Sequence, residues 1–195
     1  MGIEPASGGA AAQGNEGLGA VRVVPLRRRH LRSVLRIEGQ VYPRPWTLGL
    51  YLSELRLGAS RHYVAAKVKQ ELVGYAGMMF ALDEAHVTTI AVDPRWQGRG
   101  VGATLLLHLS QEAISRGVKH MTLEVRVSNA RAQELYRNFG YRTEGVRKNY
   151  YEETNEDALV MWVHDVDSEQ YRHTLEAIAA SLAAKAGVGC QPRSA

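Results

Sequence analysis

Three glycines spaced two apart, Gly98, Gly100 and Gly102, stand between a short β-branched run, His86-Val87-Thr88-Thr89-Ile90-Ala91-Val92, and the apolar Ala103-Thr104-Leu105-Leu106-Leu107. The first run reads as a buried strand and the second as the opening of a helix. Asp93-Pro94 closes the strand, since proline cannot donate to a ladder and restricts the residue before it. N–H groups in the first turn of a helix have no carbonyl partner. A turn free of Cβ atoms lets them converge on an anion at the positive end of the helix dipole. The chemistry that this spacing supports is phosphate binding.

Two kinds of phosphate ligand satisfy the pattern. Gly98-x-Gly100-x-x-Ala103 meets the dinucleotide fingerprint, with Glu124 at a plausible distance to hold a ribose. Against it, Asp93-Pro94-Arg95-Trp96-Gln97 separates the strand from the first glycine, and no second βαβαβ half is available. Pattern alone leaves the other reactive side chains open. Glu124, within Met121-Thr122-Leu123-Glu124-Val125-Arg126, reads as a solvent-facing strand residue. Tyr136 shares helical spacing with Ala132, Leu135 and Phe139, and His86 is a lone strand histidine.

The elements that must position these groups follow in order. Residues 1–19 are Gly, Ala, Ser and Gln with almost no bulky apolar side chain, and read as a disordered arm. A first strand covers residues 20–25. Leu31, Val34, Leu35, Glu38 and Val41 fall at helical spacing, with Arg28, Arg29, Arg32 and Arg36 on the opposite, solvated side. Tyr42-Pro43-Arg44-Pro45-Trp46 breaks that helix, its Trp46 serving either as a pocket wall or as a loop anchor, and Thr47 caps the next helix through Leu57. A hairpin (residues 62–68 and 72–80) leads to the glycine strand. The helix after it runs from Arg99 to Arg116 and stops at Gly117. Next come a strand over 121–127, a helix over 129–139 started by Ser128 or Asn129 and stopped by Gly140, and strands over 141–147 and 158–164. An amphipathic helix over 168–185 packs on the domain or on a second copy, and residues 188–195 are a tail. Residues 20–165 form one domain.

At 195 residues and net charge +4, composition is that of an ordinary soluble domain. No apolar run reaches membrane-spanning length and no signal pattern opens the chain, which places it in the cytoplasm with no membrane partner. The single cysteine, Cys190, lies in the tail, so neither a disulfide framework nor a thiolate metal site is expected. No metal is expected at all, because no His/Cys/carboxylate cluster has ligand spacing. The positive charge suits an anionic ligand, and no direct nucleic-acid binding is expected.

Val92-Asp93-Pro94-x-x-Gln97-x-x-Gly100-x-Gly102 resembles the Q/R-x-x-G-x-G/A motif of the GNAT superfamily of acyl-CoA-dependent acetyltransferases. Leu123-Glu124-Val125-Arg126-Val127-Ser128-Asn129, Leu135-Tyr136, Phe139-Gly140-Tyr141, Lys148-Asn149-Tyr150-Tyr151 and Glu156-Asp157-Ala158 are similar to its RimI-type branch, the ribosomal-protein-alanine N-acetyltransferases. The resemblance spans about residues 21–164. It implies an α/β (α+β) GNAT fold, a mixed, twisted central sheet flanked by helices, with two splayed parallel strands that admit the cofactor's pantetheine arm.

The same resemblance implies the roles. Acetyl-CoA is the cosubstrate, its pyrophosphate held by backbone N–H groups of Gln97, Gly98, Arg99, Gly100, Val101 and Gly102. Arg95 and Arg99 are either phosphate contacts or ordinary surface. Ile90, Ala91 and Val92 offer main-chain groups to the pantetheine and thioester, and a strand N–H there can stabilise the oxyanion. Asn129 starts its helix and touches the cofactor arm. Glu124 is the general base, with His86 sharing or relaying its proton, because a protonated amine has no lone pair with which to attack. Tyr136 is the general acid for the departing thiolate. Trp46, Tyr150 and Tyr151 wall the substrate. Glu152, where many relatives have proline, and the extra Arg-Pro before Trp46 are departures that bear on substrate sequence. The implied reaction is direct transfer in a ternary complex to a protein N-terminus, the N-terminal alanine of a small-subunit ribosomal protein. The alternatives are a broader protein acetyltransferase that takes lysine, or a CoA-binding module without catalysis.

Overall fold

Lys69, at a positive φ of 52°, folds β2 (Arg61–Val68) back onto β3 (Glu71–Ala81). In this computed structural model, which describes residues 21–187, that hairpin belongs to a seven-stranded sheet of order β1-β2-β3-β4-β5-β7-β6. The other strands are β1 (Arg22–Pro25), β4 (Glu84–Val92), β5 (His120–Arg126), β6 (Arg142–Tyr151) and β7 (Glu156–Val163). Every neighbouring pair is antiparallel except β4 and β5. Those two are parallel and pair only at Glu84–His120, Ala85–Met121 and His86–Thr122. Beyond His86 they part, and main-chain groups on the two inner edges lose their ladder partners. This is the mixed sheet with splayed central strands that the motifs imply.

Each face of the sheet has its own core. On one, α1 (Leu31–Val41) and α2 (Leu48–Glu54) bury Leu31, Val34, Ile37 and Tyr51 against Tyr63, Ala65 and Tyr75. Leu35 and Val41, expected on that stripe, are half-buried at its edges, and Ile37 takes the central position. On the other, α3 (Val101–Ser115) buries Leu105, Leu106 and Leu109 beside Met121, Leu123, Val125 and Tyr136. Helix α4 (Ala130–Asn138) joins that layer, capped by the Asn129 side chain accepting from Ala132 N at 3.1 Å. The cap is therefore Asn129 and not Ser128.

Helix α3 starts two residues later than expected. Gly98 and Gly100 take φ of 78° and 82°, the left-handed region, so the chain is still turning at Arg99. Helix α5 (Glu169–Gly187) folds back over α3, burying Tyr171 and Leu175 in the same cluster as Leu109. The segments assigned as arm and tail, with Cys190, lie outside the described residues. Among the described residues no helix is long and apolar enough to cross a membrane.

Candidate active site

The glycine turn is braced from beneath. Asp93, fully buried at the end of β4, accepts from Arg95 N, Nε and Nη2 (3.0, 3.1 and 2.9 Å) and from Arg36 Nη1 of α1 at 2.8 Å. These hydrogen bonds, Arg95's foremost, outweigh burial and hold its carboxyl well below the usual range. Arg95 also pairs with Glu71 at 2.6 Å. Its guanidinium, held by two carboxylates, makes Arg95 a brace of the turn. Arg99 stays exposed beside Trp96, 5.3 Å from the ring centroid.

Of the N–H groups expected to meet a phosphate, Gln97 N donates to the Pro94 carbonyl at 3.4 Å, while those from Gly98 to Gly102 make no backbone hydrogen bond among the described residues. Arg131, in the first turn of α4, reaches over them: a Cβ on Gly98 would come 3.0 Å from its Nη2. Converging free donors and two cations, Arg99 and Arg131, fit a diphosphate. Arg131 had no signal in the sequence beyond following a capping Asn, since it is the fold that brings the start of α4 to the turn.

A cavity of about 520 Å³ opens where β4 and β5 part. Strand alternation turns Met121, Leu123 and Val125 into the α3 core, so Glu124 faces this cavity and not bulk water. His86 Nε2 stands 2.6 Å from Glu124 Oε2, and Arg147 Nη2 lies 3.1 Å from Oε1. Burial pushes the Glu124 carboxyl up, but His86 and Arg147 outweigh it and hold it below the usual carboxylate range. The His86 partner is the one weighed for Glu124 from the sequence; the pairing with Arg147 was not foreseen. A second cavity of about 210 Å³, lined by Glu84, Thr122, Arg147 and Trp162, lies beyond, with His86 and Glu124 lining both.

Tyr136 lines the larger cavity from α4. Burial, then the neighbouring Tyr42 and Tyr151, push its phenol well above the ordinary value, so it stays protonated. Asn129 lines the same cavity while serving as the α4 cap. Tyr42 donates to the Ile90 carbonyl at 3.0 Å, which occupies one of the two lone pairs of that oxygen. Burial pushes the Tyr42 phenol up to about 12. Ala91 and Val101 are buried, and Gln97 Nε2 donates to the Val92 carbonyl at 3.2 Å.

Trp46, Tyr150 and Tyr151 form the far wall of the cavity. Each has a support that pattern reading did not find. Trp46 N donates at 3.0 Å to Glu38, a buried carboxylate that also accepts from the Tyr51 and Tyr75 hydroxyls. Arg126 lies 3.7 Å from the centroid of Tyr151 and pairs with Glu153 and Glu156. Arg147 stands 5.5 Å from the Tyr150 ring centroid. A glutamate on the apolar stripe of α1 was the one clue to the first of these. Among the described residues no group of three or more His, Cys, Asp or Glu side chains is arranged to hold a metal.

Comparison with known proteins agrees with this fold. The acetyltransferase (GNAT) family profile matches residues 31–141. The ribosomal protein bS18-alanine N-acetyltransferase of Escherichia coli K12 is 36% identical over 140 residues, 70% of this chain and 92% of that protein. The N-alpha-acetyltransferase RimI of Mycobacterium tuberculosis H37Rv is 37% identical over 147 residues, 72% of this chain and 90% of its own length. The crystal structure of the ribosomal-protein-S18-alanine N-acetyltransferase from Escherichia coli superposes with a TM-score of 0.69 at 32% identity, covering 75% of this chain and 94% of that one.

Proposed function

The chain belongs to the acetyltransferase (GNAT) family and is an acetyl-CoA-dependent N-acetyltransferase, and from that premise we propose that its acceptor is the N-terminal α-amine of a protein, namely the N-terminal alanine of a small-subunit ribosomal protein. The reaction we infer is direct transfer in a ternary complex in the cytoplasm, with no metal. Acetyl-CoA supplies an activated acyl group, and the residues of this chain do the rest. The glycine turn, Arg99 and Arg131 hold the phosphates, and the parted edges of β4 and β5 take the pantetheine. Trp46, Tyr150 and Tyr151 enclose the incoming N-terminus.

The observation that carries the mechanism is the 2.6 Å contact between His86 and Glu124 inside the cavity that Tyr136 also lines. An α-ammonium has a pKa of about 8 against about 10.4 for a lysine side chain. A weak base therefore suffices for the former. With Glu124 held below its usual pKa, the carboxylate alone is a poor acceptor, and the pair acts together: Glu124 orients the imidazole across their 2.6 Å contact, and His86 takes the proton. Tyr136 returns a proton to the departing thiolate. The acetyl carbon forms its new bond to the amine nitrogen as the bond to sulfur breaks.

The test is a pair of peptides carrying the first residues of an alanine-starting small-subunit ribosomal protein plus one lysine, one with a free and one with a blocked N-terminus. Acetylation confined to the free peptide, located by mass spectrometry, supports the assignment. Equal acetylation of both moves the acceptor to the lysine, and transfer to neither with CoA still bound leaves a binding module.

A further inference from the structure

Helix α5 adds nothing to the sheet, and the chemistry above makes no use of it. Its course is nevertheless specific. The Tyr171 hydroxyl lies 3.5 Å from Ser110 Oγ, in the second half of α3, and the Tyr171 ring also reaches Gly140 at the end of α4. About three turns later, Leu182 stands beside Gly100, where a Cβ would come 3.1 Å from its Cδ2. Helix α5 therefore runs back along α3 and delivers its last turns to the glycine turn. There the N–H groups from Gly98 to Gly102 are unpaired, and Arg99 and Arg131 stand without an ion-pair partner among the described residues.

Leu182 is half-buried at that place and Lys185 is exposed. Residues three apart share one side of a helix, so Lys185 follows Leu182 toward the same edge. We infer that the C-terminal helix is part of the cofactor site: Leu182 closes the phosphate turn from the Gly100 side, as Arg131 does from the Gly98 side, and Lys185 adds a cation for the phosphates of CoA. This rests on the cofactor reading above, and deepens it by making a segment outside the family match a determinant of cofactor affinity. Tyr171 and Leu175 are buried in the core and Ile178 packs against it; Leu182, next on the same stripe, lies beyond that cluster against Gly100.

The experiment is calorimetric titration of CoA into the full chain and its Leu182→Ala and Lys185→Gln variants, at low and at moderate salt. Both variants bind CoA about three- to tenfold more weakly at low salt, the range for one partly exposed contact to an anion. Loss of a cation also flattens the salt dependence in Lys185→Gln, an effect that loosened packing does not produce. If Leu182→Ala lowers the melting temperature of the free protein, Lys185→Gln, at an exposed position, still carries the test. Unchanged affinity and salt slope in Lys185→Gln overturn the inference, as does tighter binding by Leu182→Ala, which makes the helix an obstacle. Absence of CoA binding by the unsubstituted chain is a different result and overturns the cofactor reading itself.

Discussion

His86 Nε2 and Glu124 Oε2 stand 2.6 Å apart at the partition between two cavities, one leading to the parted strands and the other to Arg147 and Trp162. The pair arises from adjacency in the sheet: His86 is the last residue of β4 to pair with β5, opposite Thr122, and Glu124 comes two residues later on the same face. The pair is therefore fixed at the fork, where β4 and β5 part.

Replacing either partner removes the pair. Glu124→Gln and His86→Gln each lower kcat by about a hundredfold or more, the range for a general base. CoA affinity stays at the level of the unsubstituted enzyme, because the phosphate turn shares no residue with the pair. Single-turnover kinetics with CoA binding measured in parallel checks both halves. A kcat within a few-fold of the unsubstituted enzyme in both variants would remove the pair from the chemistry.

Tyr136 offers a phenol that burial keeps protonated across the neutral range. Tyr136→Phe keeps the ring and its packing on Tyr141 and loses only the proton donor. The expected result is a kcat lowered by about a hundredfold or more, with KM for the peptide and the melting temperature nearly unchanged. An unaltered kcat would assign Tyr136 to the core alone.

How much of this was legible in the sequence depends on whether a residue's role is local. The glycine turn, the caps at Thr47 and Asn129 and the helix stops at Gly117 and Gly140 are set by neighbours within a few residues, and they stand where spacing put them. Strand alternation showed that Glu124 faces away from the core, but not whether water or a cavity lies there; that depends on β4 and β5 parting, which no local pattern encodes. The supports of the site join residues far apart in the chain: Arg36 with Asp93, Glu38 with Tyr75, and Arg126 with Glu153. Arg95 is another such case: its pairing with Glu71, 24 residues away, has no local signal.

Glu38 gives the third prediction. It accepts from Tyr51, Tyr75 and the Trp46 N–H, so one buried carboxylate fixes the substrate-side loop to the sheet. Glu38→Ala leaves those three donors unpaired and costs about 3 kcal/mol of stability or more, at about 1–3 kcal/mol for each buried donor. The milder Glu38→Gln retains the shape but lowers acceptor strength. It raises KM for the peptide more than it lowers kcat, because Trp46 is loosened while His86 and Glu124 are untouched. Urea melts and steady-state kinetics on the two variants check this, and a peptide KM that stays put in Glu38→Gln would detach the loop from the carboxylate.

The last prediction concerns pH, away from the active site. His62 of β2 and His108 of α3 stack with ring centroids 5.7 Å apart, and His62 Nε2 is buried without a hydrogen-bond partner. Burial lowers the pKa of both below 6.5, against the opposing pull of Glu112, which is itself held by Arg116 at 2.7 Å. Between these lowered values and 6.5 the unfolded chain binds more protons than the folded one, so stability rises with pH across that window. It is complete above about pH 6.5 and is lost as pH falls toward the folded values, where two adjacent imidazoles must both become cationic. Thermal melts should therefore show a falling melting temperature from pH 7 to pH 5.5, with a shallower slope in His108→Gln, which removes one titrating ring and the repulsion between the two. A slope identical in the variant would place the acid sensitivity elsewhere in the molecule.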